Sequence, residues 1–540
     1  MAIAETMEAP RWIDSGAVMT GGLDLLGLRL PVQVVGGKLL DGITTVTPQV
    51  RYFSFRAWLI QQYGQTGMPD SWQRFTEFAL RIESALVLGN VVHSRGATGL
   101  IGADEAIRRL DANTSSVSVA PLVKSPAATI YTGPSDQLGI TRTREDAVPA
   151  LVIERGEPLA RQVGQRFSTI PLLKRLIDHP ELSEIAVDDL AELGAVARID
   201  QIPEDERATL LASIVPGQPR PRERARVATY MALLALAERL KTYPDEYELF
   251  EAASSKQRFG EPLLDDAADG WVTYCVRDVI AVTQESVLSE VMNEINAGPD
   301  NGLSGRDAAE IVSSLMERVE EHSAPLRDLE LLSPSESISD LSFRQLRHRI
   351  ERLASADVEY RHGLARWDAA LSETRVYKLS WSSGAGALSL ALVAWILAAL
   401  RVGHAVREGG ESSGNVSYQG WRRLGLRDVI LTELERFERE DRPVRDVVAD
   451  MAYRTVAQHL QIAWSRLQVD LNRDVALLTT EGGKWCGRGK YFGGGRTASR
   501  LVQAAGWLEQ LRLIDDEGIT SDGKLVLHDG LRALATGRTT

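Results

Sequence analysis

The sequence predicts a mainly α-helical, multidomain protein with a small α+β module at its C-terminal end. Three observations lead to this fold class. Apolar residues recur at three- and four-residue spacing along most of the chain, which is the period of an amphipathic helix. A repeat of the heptad type runs through residues 341–374. Short β-type runs separated by turn residues occur mainly in residues 112–156 and after residue 475.

Composition narrows the classes of function. The 540 residues suffice for about three domains, and 44% of the residues are apolar. The net charge of −13 argues against a general nucleic-acid coat, which needs a basic surface, but it permits a local basic patch. With only two cysteines, Cys275 and Cys486, a disulfide framework is excluded, and a cysteine-based zinc site would need several histidine partners. We therefore expect a cytoplasmic protein.

The sequence shows no signal for export or for a membrane. Met1–Pro10 contains acids and lacks an apolar run, so it is not a signal peptide. Gly386–Leu400 is the most apolar stretch, but it is too short to span a bilayer comfortably. We interpret it as a buried core helix and expect no membrane partner.

Residues 1–215 are assigned to an N-terminal helical domain with a loop and short strands inserted at 112–156. Thr47 and Pro48 are typical of a helix start, so a helix is predicted to begin at Thr47. Its apolar stripe consists of Val50, Phe53, Ala57 and Ile60. Further helices are predicted at 70–88, 103–110, 169–178, 188–194 and 204–214.

The stretch Pro216–Pro221 marks a boundary, and residues 222–405 form the second predicted domain. Helices are predicted near 222–242, 270–296, 306–322 and 341–374. The last of these carries a heptad seam with one polar position, Asp357, and its apolar members are Leu346, Ile350, Leu353, Tyr360, Leu364, Trp367 and Leu371. A period near 3.5 keeps one stripe facing a partner helix. That partner is a helix of the same chain, a second copy in a homo-oligomer, or another protein subunit.

Arg407–Gly420 is rich in Gly and Ser and predicts a linker before the third domain, residues 421–540. The predicted order there is helix 422–440, helix 443–470, strand Val475–Leu478, a Gly-rich loop Glu481–Arg496, another helix and a β-hairpin. The third helix has an apolar stripe of Ala498, Leu501, Val502, Ala505, Leu508 and Leu511. Turns at 515–518 and at Asp522–Gly523, before Leu525–Leu527, complete the strands. This order resembles a winged helix-turn-helix.

The C-terminal module carries a basic patch. Between Lys484 and Arg512 there are six basic residues and one acid, a local charge of +5. At 100° per residue, the third helix would place Arg496, Arg500, Gln503 and Gln510 on the face opposite its apolar stripe. The predicted nucleic-acid-binding residues are Lys484, Arg488, Lys490, Arg496, Arg500 and Gln503. Arg and Gln can read base edges, loop cations can hold phosphates, and Trp485, Tyr491 and Phe492 could stack on bases.

DNA is favoured over RNA as the partner of this patch, while a protein partner and a plain solvated surface remain as alternatives. The phosphate-binding P-loop pattern fails, because Gly489-Lys490 is followed by Tyr491 and Lys484 stands in place of the first glycine. The histidines show no metal-binding spacing and no nucleophile elbow occurs, so no metal or cofactor is predicted. Acid clusters at Asp265, Asp266 and Asp269 and at Glu317, Glu320 and Glu321 are common on acidic helix surfaces, although metal-dependent nucleases use such groups.

Two N-terminal stretches carry a further resemblance. Asp41–Thr44 through Arg51–Phe55, and Tyr131–Pro134 through Leu138–Ile140, resemble uncharacterised bacterial proteins found in anti-phage defence islands. The resemblance implies a role in antiviral defence and assigns no functional residue. The sequence thus predicts a non-catalytic component of a bacterial defence complex that contacts nucleic acid through its C-terminal module. A metal-dependent nuclease and a structural subunit acting through the heptad helix are the alternatives.

Overall fold

The computed structural model describes residues 24–536 except for 97–98, 113–114, 256–257, 355–375, 377, 379–386, 409–429, 470–474, 491 and 493. The chain divides into two compact units, each built from several segments. Unit 1 comprises Met1–Val35, Phe250–Arg258 and Ala268–Thr497. Unit 2 comprises Gly36–Leu249, Phe259–Ala267 and Ala498–Thr540. The division after Thr497 falls inside the predicted module 421–540.

Helices dominate the described residues, as the sequence predicts. Up to residue 240 the elements are α1 Arg29–Leu39, α2 Tyr52–Gln65, α3 Trp72–His93, α4 Ala103–Ala112, β1 Ser116–Ser118, α5 Ala127–Ile130, α6 Thr132–Gln137, β2 Thr141–Arg144, β3 Ala147–Leu151, α7 Gly156–Phe167, α8 Pro171–Asp178, β4 Glu184–Ala186, α9 Val187–Val196, α10 Glu204–Ile214 and α11 Arg224–Leu240. The predicted helices at 103–110, 169–178, 188–194 and 204–214 are therefore confirmed. The segment 112–156 contains the predicted short strands and, in addition, the short helices α5 and α6.

The remaining elements are α12 Glu246–Ser254, α13 Asp265–Asn296, β5 Arg306–Asp307, α14 Ala308–Glu321, α15 Ala324–Asp328, α16 Phe343–Ala354, α17 Ala387–Glu408, α18 Thr432–Glu440, α19 Val444–Val469, β6 Leu478–Glu481, β7 Lys484–Gly487, α20 Leu501–Gln510, β8 Ile514–Asp515, β9 Gly518–Ile519 and α21 Ser521–Thr536. Short 3₁₀ turns lie at Pro221–Glu223, Pro262–Leu264, Pro299–Gly302 and Ile338–Asp340. The described strands pair antiparallel as β1–β4, β2–β3, β5–β7–β6 and β8–β9.

The core of unit 2 is built around α2, whose predicted stripe of Val50, Phe53, Ala57 and Ile60 is buried. The helix begins at Tyr52, however, and the start predicted at Thr47 is wrong. The Thr47 hydroxyl donates to the Thr44 carbonyl at 2.9 Å and accepts from the Thr44 amide at 3.1 Å. This local turn competes with a helical start because it uses the side chain that would otherwise cap the helix.

Helices α3 and α9 approach each other backbone to backbone in unit 2. A Cβ atom on Gly194 would lie 1.9 Å from the Gly89 carbonyl oxygen, which is closer than any real contact. Glycine at position 194 therefore permits a helix crossing that no larger residue would allow.

The apolar helix α17 forms the centre of unit 1. Its residues 388–402 are buried on every side, as expected for a helix that is apolar all round. The interpretation of Gly386–Leu400 as a core helix is confirmed for the described residues from Ala387 onwards. Among the residues that the structure describes, no helix is long and apolar enough to cross a membrane.

The heptad seam is described only at its start. Leu346 and Ile350 in α16 are fully buried, and Phe343 of the same helix lies 5.4 Å from the Phe437 ring in α18. These positions therefore pack within unit 1. Leu353 belongs to α16, but its side chain and the other predicted members, Asp357, Tyr360, Leu364, Trp367 and Leu371, lie outside the described residues, as does most of the predicted linker.

Two expectations for the C-terminal region are wrong. The predicted Gly-rich loop contains the β6–β7 hairpin, whose turn residues Gly482 and Gly483 have φ of 55° and 83°. Such values suit the tight two-residue turns that join antiparallel strands. The predicted strand Leu525–Leu527 belongs instead to α21, which begins at Ser521. The predicted hairpin over 514–519 is confirmed as β8–β9.

The winged-helix assignment of residues 421–540 is not confirmed. The helix predicted to carry the apolar stripe is present as α20, but Val502 is 64% exposed and Ala498 is also exposed. Ala498 precedes α20, which begins at Leu501, and Val502 lies on a different side of the helix from the buried Leu501, Ala504 and Leu508.

Candidate nucleic-acid interface

The predicted reading face of α20 is bonded to the backbone of its own unit. Four side chains at three- and four-residue spacing contact consecutive parts of the segment 43–50. The hydrogen bonds run from Arg500 Nη1 to the Ile43 carbonyl (2.9 Å), from Gln503 Nε2 to the Thr45 carbonyl (3.4 Å), from Trp507 Nε1 to the Thr47 carbonyl (2.8 Å) and from Gln510 Nε2 to the Pro48 carbonyl (2.8 Å).

Gln510 completes this array by accepting a hydrogen bond from the Val50 amide at 2.9 Å. Segment 43–50 precedes α2 without regular structure, so its polar backbone groups need side-chain partners. Helix α20 supplies them. Arg500 and Gln503, which the sequence assigns to a nucleic-acid surface, therefore hold this segment in unit 2.

The Gly-rich segment 494–497, which follows β7, binds two carboxylates of its own chain. The Thr497 amide donates to Asp278 Oδ1 at 2.9 Å, and the Gly495 amide donates to the Glu285 carboxylate. A Cβ on Gly494 would lie 3.3 Å from the Glu285 backbone, so glycine allows the segment to lie directly on α13. The backbone amides that could have cradled a phosphate already face these carboxylates.

Arg29 supplies the cation of this buried cluster. Its guanidinium donates to Glu285 Oε1 at 2.8 Å and to Asp278 Oδ1 at 2.9 Å. Burial raises the pKa of Glu285, although the hydrogen bond and the charge of Arg29 oppose that rise. Three buried ionisable groups satisfy one another here, which identifies the cluster as a structural junction between α1, α13 and the segment 494–497.

The other predicted binding residues differ in exposure. Lys484 on β7 and Arg488 just after it are exposed, whereas Lys490 is half-buried and its ammonium donates to the Ala476 carbonyl at 3.1 Å. Arg496 is half-buried in unit 1, while Arg500 and Gln503 belong to unit 2. The structure thus brings Lys484, Arg488 and Lys490 together on one hairpin and its continuation.

The aromatic residues proposed for base stacking are used otherwise where they are described. Trp485 is buried, and its ring lies 5.4 Å from that of Tyr453 on α19. The Phe492 carbonyl accepts a hydrogen bond from the Ser289 hydroxyl at 3.0 Å. Tyr491 lies outside the described residues.

Sequence reasoning missed an exposed face on α19. Trp464 is 61% exposed and Tyr453 is 43% exposed, while Gln461 and Gln468 are exposed on the same side. No Asp or Glu occurs between Met451 and Val469. The signal was present in the sequence as two aromatic residues eleven positions apart within an acid-free stretch, but periodicity alone does not say which face of a helix is buried.

His459 lies on the opposite, buried face of α19 and joins three segments of unit 1. Its Nδ1 donates to the Leu25 carbonyl at 3.1 Å, and its Nε2 accepts from the Leu477 amide at 3.0 Å. These two bonds require the neutral imidazole with its proton on Nδ1. Burial lowers the pKa of His459, which favours that neutral form. The residue thereby fixes the start of the β6–β7 hairpin against α19.

One carboxylate of each acid cluster, Asp269 and Glu320, has a structural partner. Asp269 forms an ion pair with Arg258, and the Glu320 carboxylate accepts hydrogen bonds from Ser337 and Ser339. Within the described part of the chain, no three His, Cys, Asp or Glu residues are grouped so that they could hold a metal ion.

The two N-terminal stretches, residues 41–55 and 131–140, pack together in unit 2. The Tyr131 hydroxyl donates to the Gln49 carbonyl at 2.8 Å, and its ring lies 4.9 Å from that of Phe53. The Gly42 amide donates to Gln137 at 3.0 Å. These residues therefore build the core around α2.

Comparison with known proteins found no matching family model, no matching curated protein and no matching solved structure. The candidate interface consequently stands on its own geometry.

Proposed function

We propose that this protein contacts nucleic acid through the β6–β7 hairpin, as a non-catalytic component of a bacterial defence complex. The observation that carries the proposal is the exposure of Lys484 and Arg488 on one hairpin arm. No acid occurs between Gly482 and Leu508, although the whole chain has a net charge of −13. A phosphate backbone is the partner for which such a local excess of cations is suited.

The geometry of the hairpin supports phosphate contacts. Residues at alternate positions of a strand point to the same face, so Lys484 and Arg488 extend from one side of the arm. The strand pairing continues to the second of them, since the Arg488 amide donates to the Leu477 carbonyl at 3.1 Å. A paired strand holds both cations at a fixed separation, which lowers the entropy lost when they engage two phosphates.

The test is a charge reversal at both positions, Lys484→Glu with Arg488→Glu. We expect weaker binding to a labelled DNA duplex and a smaller slope of log affinity against log salt, by about 0.9 for each phosphate that is no longer neutralised. Fluorescence anisotropy between about 50 and 200 mM salt measures both quantities. A duplex RNA of the same length tests the preference for DNA.

The matched control is Lys174→Glu with Lys524→Glu, which changes the net charge equally at two exposed lysines of α8 and α21. It should bind like the unaltered protein. A further variant, Glu481→Gln, removes the acid paired with Lys484 across the hairpin and should tighten binding. Equal affinity and slope for the reversal and the control would contradict the proposal.

The same reactions distinguish binding from catalysis. After incubation with Mg²⁺ or Mn²⁺, we expect the DNA and RNA probes to be recovered intact. Cleavage that EDTA abolishes would replace the proposal with a metal-dependent nuclease.

The role in defence rests on the N-terminal resemblance. The test is phage plating on a bacterial host with the intact gene, with the Lys484→Glu and Arg488→Glu gene, and without either. Protection that depends on the two cations would support both parts of the proposal. Equal protection by the altered gene would show that defence does not depend on nucleic-acid binding through Lys484 and Arg488.

A further inference from the structure

We infer that α19 is a recognition helix that enters the major groove of duplex DNA, with the β6–β7 hairpin beside it on the phosphate backbone. This inference rests on the proposed nucleic-acid binding and adds which surface reads sequence. It places the reading surface on Gln461 and Trp464, in unit 1, and not on α20.

The order and pairing of the elements first point to α19. Strand β5 leads directly into α14, where Asp307 caps the helix by accepting a hydrogen bond from the Ala309 amide at 2.8 Å. Helix α14 packs against α19, and β5 pairs with β7, the second arm of the hairpin that follows α19.

A strand, two packed helices and a hairpin whose second arm returns to the first strand make up the winged form of the helix-turn-helix motif. In that motif the second helix lies in the major groove and the first crosses the backbone. Here residues 322–443 separate the two helices, where the motif ordinarily has a short turn. Because the two helices are so far apart in the sequence, a search for neighbouring helices does not reveal this arrangement.

The exposed face of α19 has the dimensions and chemistry for groove reading. Tyr453 and Trp464 are eleven residues apart, which at 100° per residue places them on one side, about 16 Å apart along the helix axis. Gln461 lies between them and Gln468 one turn beyond Trp464. Glutamine can pair with adenine through two hydrogen bonds, and apolar rings can contact thymine methyl groups.

The charges around this face suit DNA. Between Met451 and Val469 the chain has two arginines and no acid, and the two acids of α19, Asp446 and Asp450, lie in its first two turns. Arg454 lies on the exposed side of α19 and forms an ion pair with Glu433 of α18. The ring of Trp485 contacts that of Tyr453, so the hairpin lies beside α19, and its exposed cations Lys484 and Arg488 extend from the other face of the strand.

The opposite side of α19 is held rigidly. His459 connects it to Leu25 and to Leu477 at the start of the hairpin. A reading helix must present its side chains in a fixed position relative to the phosphate-binding hairpin, and this residue links the two.

The experiment selects sequences from a randomised duplex DNA pool with the full-length protein. Three variants are compared: the helix-face pair Gln461→Ala with Trp464→Ala, the hairpin pair Lys484→Glu with Arg488→Glu, and the control pair Gln165→Ala with Leu525→Ala. All six positions are exposed, so unchanged unfolding temperatures verify that each variant folds.

Base contacts specify sequence and phosphate contacts position the protein, so the two binding pairs should differ in kind. We expect the hairpin pair to select the same motif as the unaltered protein with lower affinity and a smaller salt slope. The helix-face pair should keep the salt slope but lose the motif, with at least about a tenfold loss of affinity for the selected duplex. The control pair should behave like the unaltered protein. Duplex RNA should compete poorly, because its major groove is too narrow for a helix.

Selection of the same motif by the helix-face pair, or of no motif by the unaltered protein, would overturn the inference while leaving the proposed function intact. Stronger competition by single-stranded than by duplex DNA would also overturn it, since it would indicate stacking of bases on Tyr453 and Trp464. An unchanged salt slope in the hairpin pair would instead overturn the proposed function. Loss of binding to a purified protein partner, with DNA binding unaffected, would assign the face of α19 to a protein interface.

Discussion

Replacement of His459 by leucine removes two hydrogen bonds from the interior of unit 1 while nearly preserving side-chain volume. The Leu477 amide and the Leu25 carbonyl, 3.0 and 3.1 Å from the ring nitrogens, would each lose this partner. A buried polar group without its partner costs about 1–3 kcal/mol. Because two such groups lose their partner, we expect His459→Leu to lower the free energy of unfolding of unit 1 by about 2–6 kcal/mol.

Two further variants separate the contributions. Asparagine at position 459 can keep a donor near Nδ1, and glutamine can keep an acceptor near Nε2, so each should recover about half of the loss. His528→Leu, at an exposed position on α21, is the control and should change stability by less than about 0.5 kcal/mol. Hydrogen exchange of unit 1 amides and thermal unfolding measure these differences.

The effect should depend on pH. Since burial lowers the folded-state pKa of His459 below its ordinary value of 6.5, the unfolded state binds more protons between the lowered pKa and pH 6.5. The stability that the neutral imidazole contributes is therefore present above pH 6.5 and is lost as the pH falls through the folded-state pKa. The destabilisation by His459→Leu should be largest near pH 8 and should shrink towards pH 5. A destabilisation independent of pH, or absent at pH 8, would refute the reasoning.

Three other substitutions test the packing and the buried charges. Gly194→Ala should separate α3 from α9 and destabilise unit 2 by about 3 kcal/mol or more in thermal unfolding, whereas Gly64→Ala, which meets nothing within 4 Å in α2, should be neutral or slightly stabilising. Trp507→Phe should keep the ring contact with Phe53 but leave the Thr47 carbonyl without its indole donor, at a cost of about 1–3 kcal/mol by chemical denaturation. Arg29→Leu should cost about 3–5 kcal/mol near pH 8, because Asp278 and Glu285 lose their buried cation. The destabilisation by Arg29→Leu should be smaller near pH 5, since the raised carboxylate pKa lets a bound proton replace the cation, and an equal effect at both pH values would contradict this explanation.

Local sequence patterns were reliable where a helix is determined by its own periodicity. The stripe of α2, the apolar helix α17 and the turn between β8 and β9 were predicted because neighbouring residues decide them. The start of α2 was misplaced because a Thr44–Thr47 turn uses the residue expected to cap the helix. The segment Leu525–Leu527 was misread because a run of three apolar residues fits a strand and a buried helix face equally well.

The candidate site was predicted only in part. Composition located the basic hairpin residues Lys484 and Arg488, since a local charge excess is a property of the sequence. Arg500 and Gln503 have the same chemistry, but their partners lie more than 450 residues earlier in the chain, at Ile43 and Thr45. No local pattern reveals that contact.

The sequence by itself determined the helical class, the apolar core segments and the local reversal of charge near residue 484. Tertiary structure alone decided which polar faces remain available to a partner. In the tertiary structure the polar face of α20 is hydrogen-bonded to segment 43–50. The backbone amides of the Gly-rich segment 494–497 donate to the carboxylates of Asp278 and Glu285. Trp464 and Gln461 of α19 remain exposed. The physical reason is that a helix fixes the spacing of its side chains, whereas the element packed against it determines which of its faces meets solvent.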